Sequence, residues 1–302
     1  MSIMVVGSLA FDTVKTPYGE VKDALGGAAT YFSLAASYFS PVSVVAVVGE
    51  DFGDEHLEVL ERHGVDTSGV ERVAGRSFRW GGEYSWNLNQ RTTLFTELNV
   101  FEDFDPKLPA GFRKLPFVFL ANIDPGLQRS VLEQVESPEL VACDTMNYWI
   151  ERTPDALRSL LGQVDVLVIN DDEARELAGV YNLVEAAAAI RELGPSALII
   201  KRGEHGALAF FGDEMFSAPG FPLEKVADPT GAGDSFAGGF IGYIAKHGEA
   251  GATALRRAVI AGSVMASFCV ERFSVEGLCD LDSGQIARRY RAFQLLTDFG
   301  DF

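Results

Sequence analysis

Short apolar, β-branched runs recur along the chain at Ile3–Val6, Val42–Val48, Phe117–Leu120, Leu140–Ala142, Val164–Ile169 and Ala197–Lys201, with helix-like stretches between them. A strand that is apolar on both faces must be covered on both. Such strands alternating with helices therefore imply an α/β fold, a mostly parallel sheet between helical layers. The helix candidates are Ala28–Phe39, Asp54–Arg62, Leu127–Val135, Thr153–Leu161, Asp171–Leu177, Leu183–Leu193, Asp234–Lys246, Thr253–Val270 and Ser283–Leu296. A length of 302 residues, 47% of them hydrophobic, accommodates one large domain or two unequal ones.

One stretch breaks this rhythm. Arg76–Phe101 carries Phe78, Trp80, Tyr84, Trp86, Phe95 and Phe101, with turn signals at Gly81-Gly82 and Asn87–Asn89. It reads as a small antiparallel insertion. With Thr13–Val21 it is placed to form a β lid over the carboxyl edge of the main sheet, where ligands of open α/β folds sit. An edge hairpin or a dimer face would have the same composition.

The clearest chemical signal is Asp228-Pro229-Thr230-Gly231-Ala232-Gly233-Asp234-Ser235-Phe236. Two glycines around Ala232 allow a tight turn that aims backbone N–H groups at one point, at the start of a helix, which attracts phosphate. A carboxylate beside phosphate is unfavourable unless it has a task, and taking a proton from an attacking hydroxyl is the simplest one. The run thus points to phosphoryl transfer. Asn170-Asp171-Asp172-Glu173 follows a strand directly; it fits a capping box, and equally an oxygen-rich magnesium site in which Glu173 reaches a bound water and Asn170 orients it. Lys201-Arg202-Gly203-Glu204-His205-Gly206 follows the next strand and suits either a hairpin turn or a loop passing over a nucleotide. Asp12 and Gly26-Gly27 are candidates for holding vicinal hydroxyls, with a turn Asp and a helix cap as the plain alternative. Asn122, Asp124 and Asp144–Trp149 are further polar clusters at strand ends.

Several classes are disfavoured. A net charge of −18 without a clustered basic face argues against a nucleic-acid partner. No run approaches the roughly eighteen apolar residues of a membrane span, and Met1–Gly7 lacks a basic segment before its apolar run, so a cytoplasmic protein is expected. Cys143, Cys269 and Cys279 read as buried free thiols, and His56, His63, His205 and His247 as surface residues without metal-ligand spacing. Neither Gly-x-Gly-x-x-Gly nor the Walker pattern is present.

With these segments in this order, the chain resembles the ribokinase-like (PfkB) carbohydrate kinases over essentially its whole length. Asp228–Phe236 followed by Ala237-Gly238-Gly239-Phe240 carries the likeness, supported by Gly26-Gly27, Asn170-x-x-Glu173 and Lys201-x-Gly203-x-x-Gly206. The resemblance implies a single ribokinase-like domain over 1–302, a three-layer α/β/α sandwich with a β lid from about 12–22 and 76–101. It implies ATP with magnesium, transfer to a hydroxyl of a small sugar or polyol, and Asp234 as general base. Gly231, Ala232 and Gly233 then supply N–H groups to the transferring phosphoryl group, while Asn170 and Glu173 lie on the magnesium side. Lys201, Gly203, Glu204, Gly206 and Ser263 fall on the nucleotide side, Asp12, Gly26 and Gly27 on the acceptor side. The family's monovalent-cation loop begins at residues matching Asp228 and Thr230, whereas Glu271–Gly277 departs from its second half. Tyr31 stands where ribokinase-type members place a sugar-binding Asn, which disfavours ribose and keeps open an acceptor with a flat group, a nucleoside. A non-catalytic nucleotide-binding protein is the other alternative, and lid strands in this family can pair in a homodimer.

Overall fold

In the computed structural model, which describes residues 1–249, 251–298 and 300, the elements run β1 (Ile3–Val6), β2 (Ala10–Thr16), β3 (Gly19–Gly26), α1 (Ala28–Ser37), β4 (Val42–Gly49), α2 (Asp54–Arg62), β5 (Asp66–Val73), β6 (Phe78–Tyr84) and β7 (Arg91–Glu97). There follow β8 (Phe117–Leu120), α3 (Pro125–Leu132), β9 (Leu140–Asp144), α4 (Asn147–Arg152), α5 (Pro154–Leu161), β10 (Val166–Asn170), α6 (Asp171–Ala178), α7 (Leu183–Arg191) and β11 (Ala197–Lys201). The remainder is β12 (Ala207–Phe211), β13 (Glu214–Ala218), α8 (Ala232–His247), α9 (Ala252–Cys269), α10 (Glu276–Cys279) and α11 (Ser283–Thr297). The last two residues of the expected 1–302 domain lie outside the described residues.

The large sheet has the order β13-β12-β11-β10-β9-β8-β1-β4-β5. It is parallel from β11 to β5, and β12 and β13 join its edge antiparallel. Every residue of β1 is fully buried. Ile3 and Val5 enter the core shared with α1, α8 and α9, while Met4 and Val6 enter the one shared with α3, α5, α6 and α7. Burying each such aliphatic side chain contributes roughly 1.5–3 kcal/mol, which is why a central strand needs no polar alternation. A three-layer α/β/α arrangement results.

Local chemistry moves several boundaries. Asp124 caps α3 by accepting the Gly126 N–H at 2.7 Å, and Pro125 fills the first turn, so α3 begins ahead of Leu127. Asp165 takes the Val141 N–H with its side chain at 2.8 Å, and β10 starts after it. β5 and β13 are mostly polar or exposed edge strands without an apolar run to announce them, whereas β12, between β11 and β13, is apolar and mostly buried. His56 and His63 are half-buried against aromatic rings rather than free on the surface. The three thiols are free, with Cys143 and Cys269 buried and Cys279 partly so. Among the described residues no helix is long and apolar enough to cross a membrane.

The small sheet has the order β3-β2-β6-β7 and consists of two antiparallel hairpins joined through β2 and β6. Its base is held by Phe78 stacked on Phe101 at 5.4 Å and Phe101 on Phe104 at 5.3 Å. In the large domain α8 lies close between α1 and α9. A Cβ on Gly238 would come within 2.4 Å of the Phe32 carbonyl oxygen, and one on Gly239 within 2.7 Å of that of Ala261. The small-residue run therefore fixes the start of α8 against the sheet's carboxyl edge.

Candidate active site

Gly231 caps α8 with φ 76°, a left-handed conformation that favours glycine, and the Tyr31 ring lies against it. A Cβ at residue 231 would fall 2.3 Å from that ring. The turn is closed by Asp228, whose Oδ1 accepts the Thr230 N–H at 2.8 Å. Ala232 donates its N–H to the Pro229 carbonyl at 3.2 Å. The expectation that all of Gly231, Ala232 and Gly233 offer N–H groups to a ligand thus narrows to Gly231 and Gly233.

Lys201 ends β11 directly beneath this turn. A Cβ on Gly233 would lie 2.9 Å from its ammonium, which pairs with Asp144 Oδ2 at 3.2 Å. Burial works against the Lys201 charge, but Asp144, Glu173 and Asp234 carry its pKa above the ordinary lysine value. Asp234, in the first turn of α8, is pushed up to about 7 by burial and then by the Asp144 charge, with Lys201, its own N–H and Arg91 opposing. Glu173 is likewise raised to about 7 by burial and by Asp144. A carboxyl poised near neutrality can exchange a proton with a hydroxyl at physiological pH.

Asn170 and Glu173 form the capping box of α6: Asn170 Oδ1 accepts the Glu173 N–H at 2.8 Å, and Glu173 Oε2 accepts the Asn170 N–H at 2.8 Å. That leaves Glu173 Oε1 outside the capping box. Among the described residues no group of three His, Cys, Asp or Glu side chains is arranged as a metal cage. Magnesium does not require one, since it is held by one or two carboxylates together with waters and phosphate oxygens. Burial first and then the Asp144 charge raise Glu173 and Asp234, and a divalent cation would offset the negative charge gathered there, so the donors fit. The monovalent-cation positions are different. The Asp228 carboxylate accepts the Thr230 and Ser274 N–H groups, and the Thr230 carbonyl oxygen accepts the Cys269 thiol at 3.4 Å. Each of those oxygens already accepts one hydrogen bond from the protein.

On the acceptor side, Asp12 lies against Gly26, where a Cβ would reach within 2.0 Å of Asp12 Oδ2. Burial raises its pKa to about 7; the Gly27 N–H opposes this, and Asp228 and Asp234 add to it. Asp12, Gly26 and Gly27 are therefore gathered at the same centre as Asp234. Tyr31 is only 1% exposed and its hydroxyl has no hydrogen-bond partner. Packed against Gly231, it presents no face to an acceptor, so its role as a platform for a flat group is not supported.

The segment Gly203–Gly206 is the turn between antiparallel β11 and β12, closed by Arg202 N–H to the Gly206 carbonyl at 2.7 Å. Glu204 at that turn accepts from Asn89 Nδ2 at 3.0 Å, so the tip of the β6–β7 hairpin touches the β11–β12 turn. Ser263 donates to the Val259 carbonyl within its own helix at 3.0 Å, and no hydrogen bond among the described residues links it to the cluster. Further ties hold the small sheet to the segment before α8: Tyr84 and Thr230 hydroxyls are 3.2 Å apart, and Thr16 donates to the Ala227 carbonyl at 2.9 Å. Arg91 on β7 sits over the Trp80 ring at 5.1 Å, and its charge acts on Asp12, Glu173 and Asp234. Trp86, 83% exposed, faces solvent instead. Asp144 was visible as a polar strand end without an assigned role; Arg91 and Tyr84 gave no spacing signal at all.

Comparisons with known proteins agree with this fold. A family model described as pfkB family carbohydrate kinase matches residues 1–277. A cytidine kinase of Thermococcus kodakarensis is 27% identical over 251 residues, covering 80% of this chain and 88% of that protein. A nucleoside kinase of Methanothermobacter thermautotrophicus is 26% identical over 306 residues, covering 96% of each. The solved structure of Methanocaldococcus jannaschii nucleoside kinase, described as an archaeal member of the ribokinase family, superposes with a TM-score of 0.77 at 19% identity, covering 96% of this chain and 98% of that one.

Proposed function

The chain belongs to the pfkB family of carbohydrate kinases, ATP-dependent phosphotransferases with a hydroxyl acceptor, and we propose that Asp234 is its base and the hydroxyl of a small sugar or polyol its acceptor. The observation that carries this reading is the placement of Asp234 in the first turn of α8, immediately after the left-handed Gly231 turn and above the Lys201 ammonium. Base, phosphate cradle and cation share one point at the sheet's carboxyl edge.

In the reaction, Asp234 takes the proton of the acceptor hydroxyl as its oxygen bonds to the γ-phosphorus of ATP; the bond to the bridging oxygen breaks and ADP leaves with that electron pair. The Gly231 and Gly233 N–H groups and the Lys201 ammonium face the charge that builds on the transferring group. Glu173 and Asn170 would lie on the side of a bound magnesium ion, which would supply neutralisation of the phosphate oxygens. Asp12 and the Gly26-Gly27 backbone hold acceptor hydroxyls. The lid, tied to the turn through Tyr84 and Thr16, excludes water and so suppresses hydrolysis of ATP.

A second reading keeps the mechanism and makes the acceptor a nucleoside. It is supported by the cytidine kinase and nucleoside kinase among the relatives, which cover most of this chain. A phosphorylation panel of adenosine, inosine, cytidine, fructose, ribose and myo-inositol separates the two. Transfer to fructose, ribose or myo-inositol supports the first reading, and transfer confined to nucleosides replaces it with the second. The exposed edge strand β7, with Leu94 and Phe95 outward, suits pairing with a second copy, and sedimentation velocity tests it.

A further inference from the structure

Asp144 ends β9 and is buried, with its atoms held on several sides. Oδ1 accepts the Thr145 N–H at 2.8 Å, and the main-chain carbonyl accepts Gln128 Nε2 at 3.0 Å. Gln128 is itself fully buried and also donates to the Leu120 and Ala121 carbonyls, at 3.1 and 2.9 Å, tying the end of β9 to the end of β8. The remaining oxygen, Oδ2, meets the Lys201 ammonium. A fixed carboxylate thus faces a cation on a flexible four-carbon stem.

We propose that Asp144 is a positioning residue for phosphoryl transfer: it holds the Lys201 ammonium under the Gly231–Gly233 turn and keeps it from collapsing onto Asp234. This rests on the kinase reading with Asp234 as base. Lys201 has three carboxylates within its field, Asp144 from β9, Glu173 from α6 and Asp234 from α8. Were the ammonium to settle on Asp234, it would neutralise the base and leave the cradle without its cation. Asp144 prevents this by offering the one oxygen whose position the strand ends fix. The other charges facing the centre, Asp12 from β2 and Arg91 from β7, do not compete for that oxygen's place. A buried ion pair is by itself weak evidence for a stabilising role, because desolvation offsets the attraction, so a positional function accounts better for keeping this one.

The test uses the full chain and an acceptor it phosphorylates, with Asp144→Asn, Lys201→Met and the double variant. Each single variant is expected to lower kcat by on the order of 10–100-fold while KM for ATP stays within about threefold, and the double variant to fall no further than the worse single one. Asp144→Asn also moves the acid limb of the pH–kcat profile to lower pH, because one negative charge facing Asp234 is gone. A purely structural pair would lower the melting temperature while leaving kcat of the folded Asp144→Asn variant within about threefold of wild type. The proposal is overturned if folded Asp144→Asn keeps kcat within about threefold of wild type, or if the two losses multiply. If Asp144→Asn does not fold, the double variant is compared with Lys201→Met: equal turnover supports the proposal and unequal turnover overturns it. A wild-type chain that transfers phosphoryl to no acceptor would instead overturn the parent reading.

Discussion

Replacing Asp234 by Asn is expected to stabilise the fold while abolishing most turnover, and the size of the first effect follows from the site. The Asp234 pKa rises from 3.8 to about 7. At about 1.4 kcal/mol per unit, a rise of ~3 units means ~4 kcal/mol spent at pH 8 to keep the folded-state carboxyl ionised. Asp234 keeps part of its surface in solvent, and water there screens the charge; roughly half the figure, ~2 kcal/mol, is a better expectation. For a chain of this length that is a rise in Tm of about 3 °C. The sign is set by linkage: the folded state binds this proton more tightly than the unfolded one, so wild-type stability falls as pH rises from about 4 to about 7. The gain from Asp234→Asn is therefore largest at pH 8 and drops below half of that by pH 5. Differential scanning calorimetry of both proteins at the two pH values measures it. No gain at pH 8, or an equal gain at both, would refute the electrostatic origin.

Other consequences are as direct. As the base must be ionised, kcat/KM for the acceptor is expected to climb about tenfold per pH unit below about 7 and then level, which a pH–rate profile reads. Replacing potassium chloride with tetramethylammonium chloride is expected to leave turnover unchanged, since Asp228 and Thr230 are engaged by Ser274 and Cys269; strong potassium activation would contradict this. Gly231→Ala is expected to destabilise the fold by about 1–3 kcal/mol through its clash with Tyr31 and its positive φ, measured by urea unfolding, and to reduce turnover with it.

The parallel core was legible because its strands are apolar on both faces, as Ile3–Val6 and Ala197–Lys201 show. The edges were not. β12 and β13 reverse direction after a Gly203–Gly206 turn whose composition suits a nucleotide loop equally well, and only the pairing of Ala197–Lys201 with Ala207–Phe211 decides it. In the site, Asp234 and its glycines were readable because the turn and the base are contiguous in the chain. Asp144, Lys201 and Arg91 come from three distant elements, and no local spacing encodes their meeting. Tyr31 went the other way: its position in the sequence suggested contact with the acceptor, while packing buries it beneath Gly231.

The central claim is that Asp234 is the base of an ATP-dependent transfer to a hydroxyl, and single-turnover transfer of labelled γ-phosphoryl from ATP, comparing wild type with Asp234→Asn while ATP binding is followed by calorimetry, tests it most directly. The predicted result is unchanged ATP affinity with a transfer rate lower by on the order of 10²–10⁴-fold in the variant. Transfer within a few-fold of wild type by a variant that still binds ATP would contradict it.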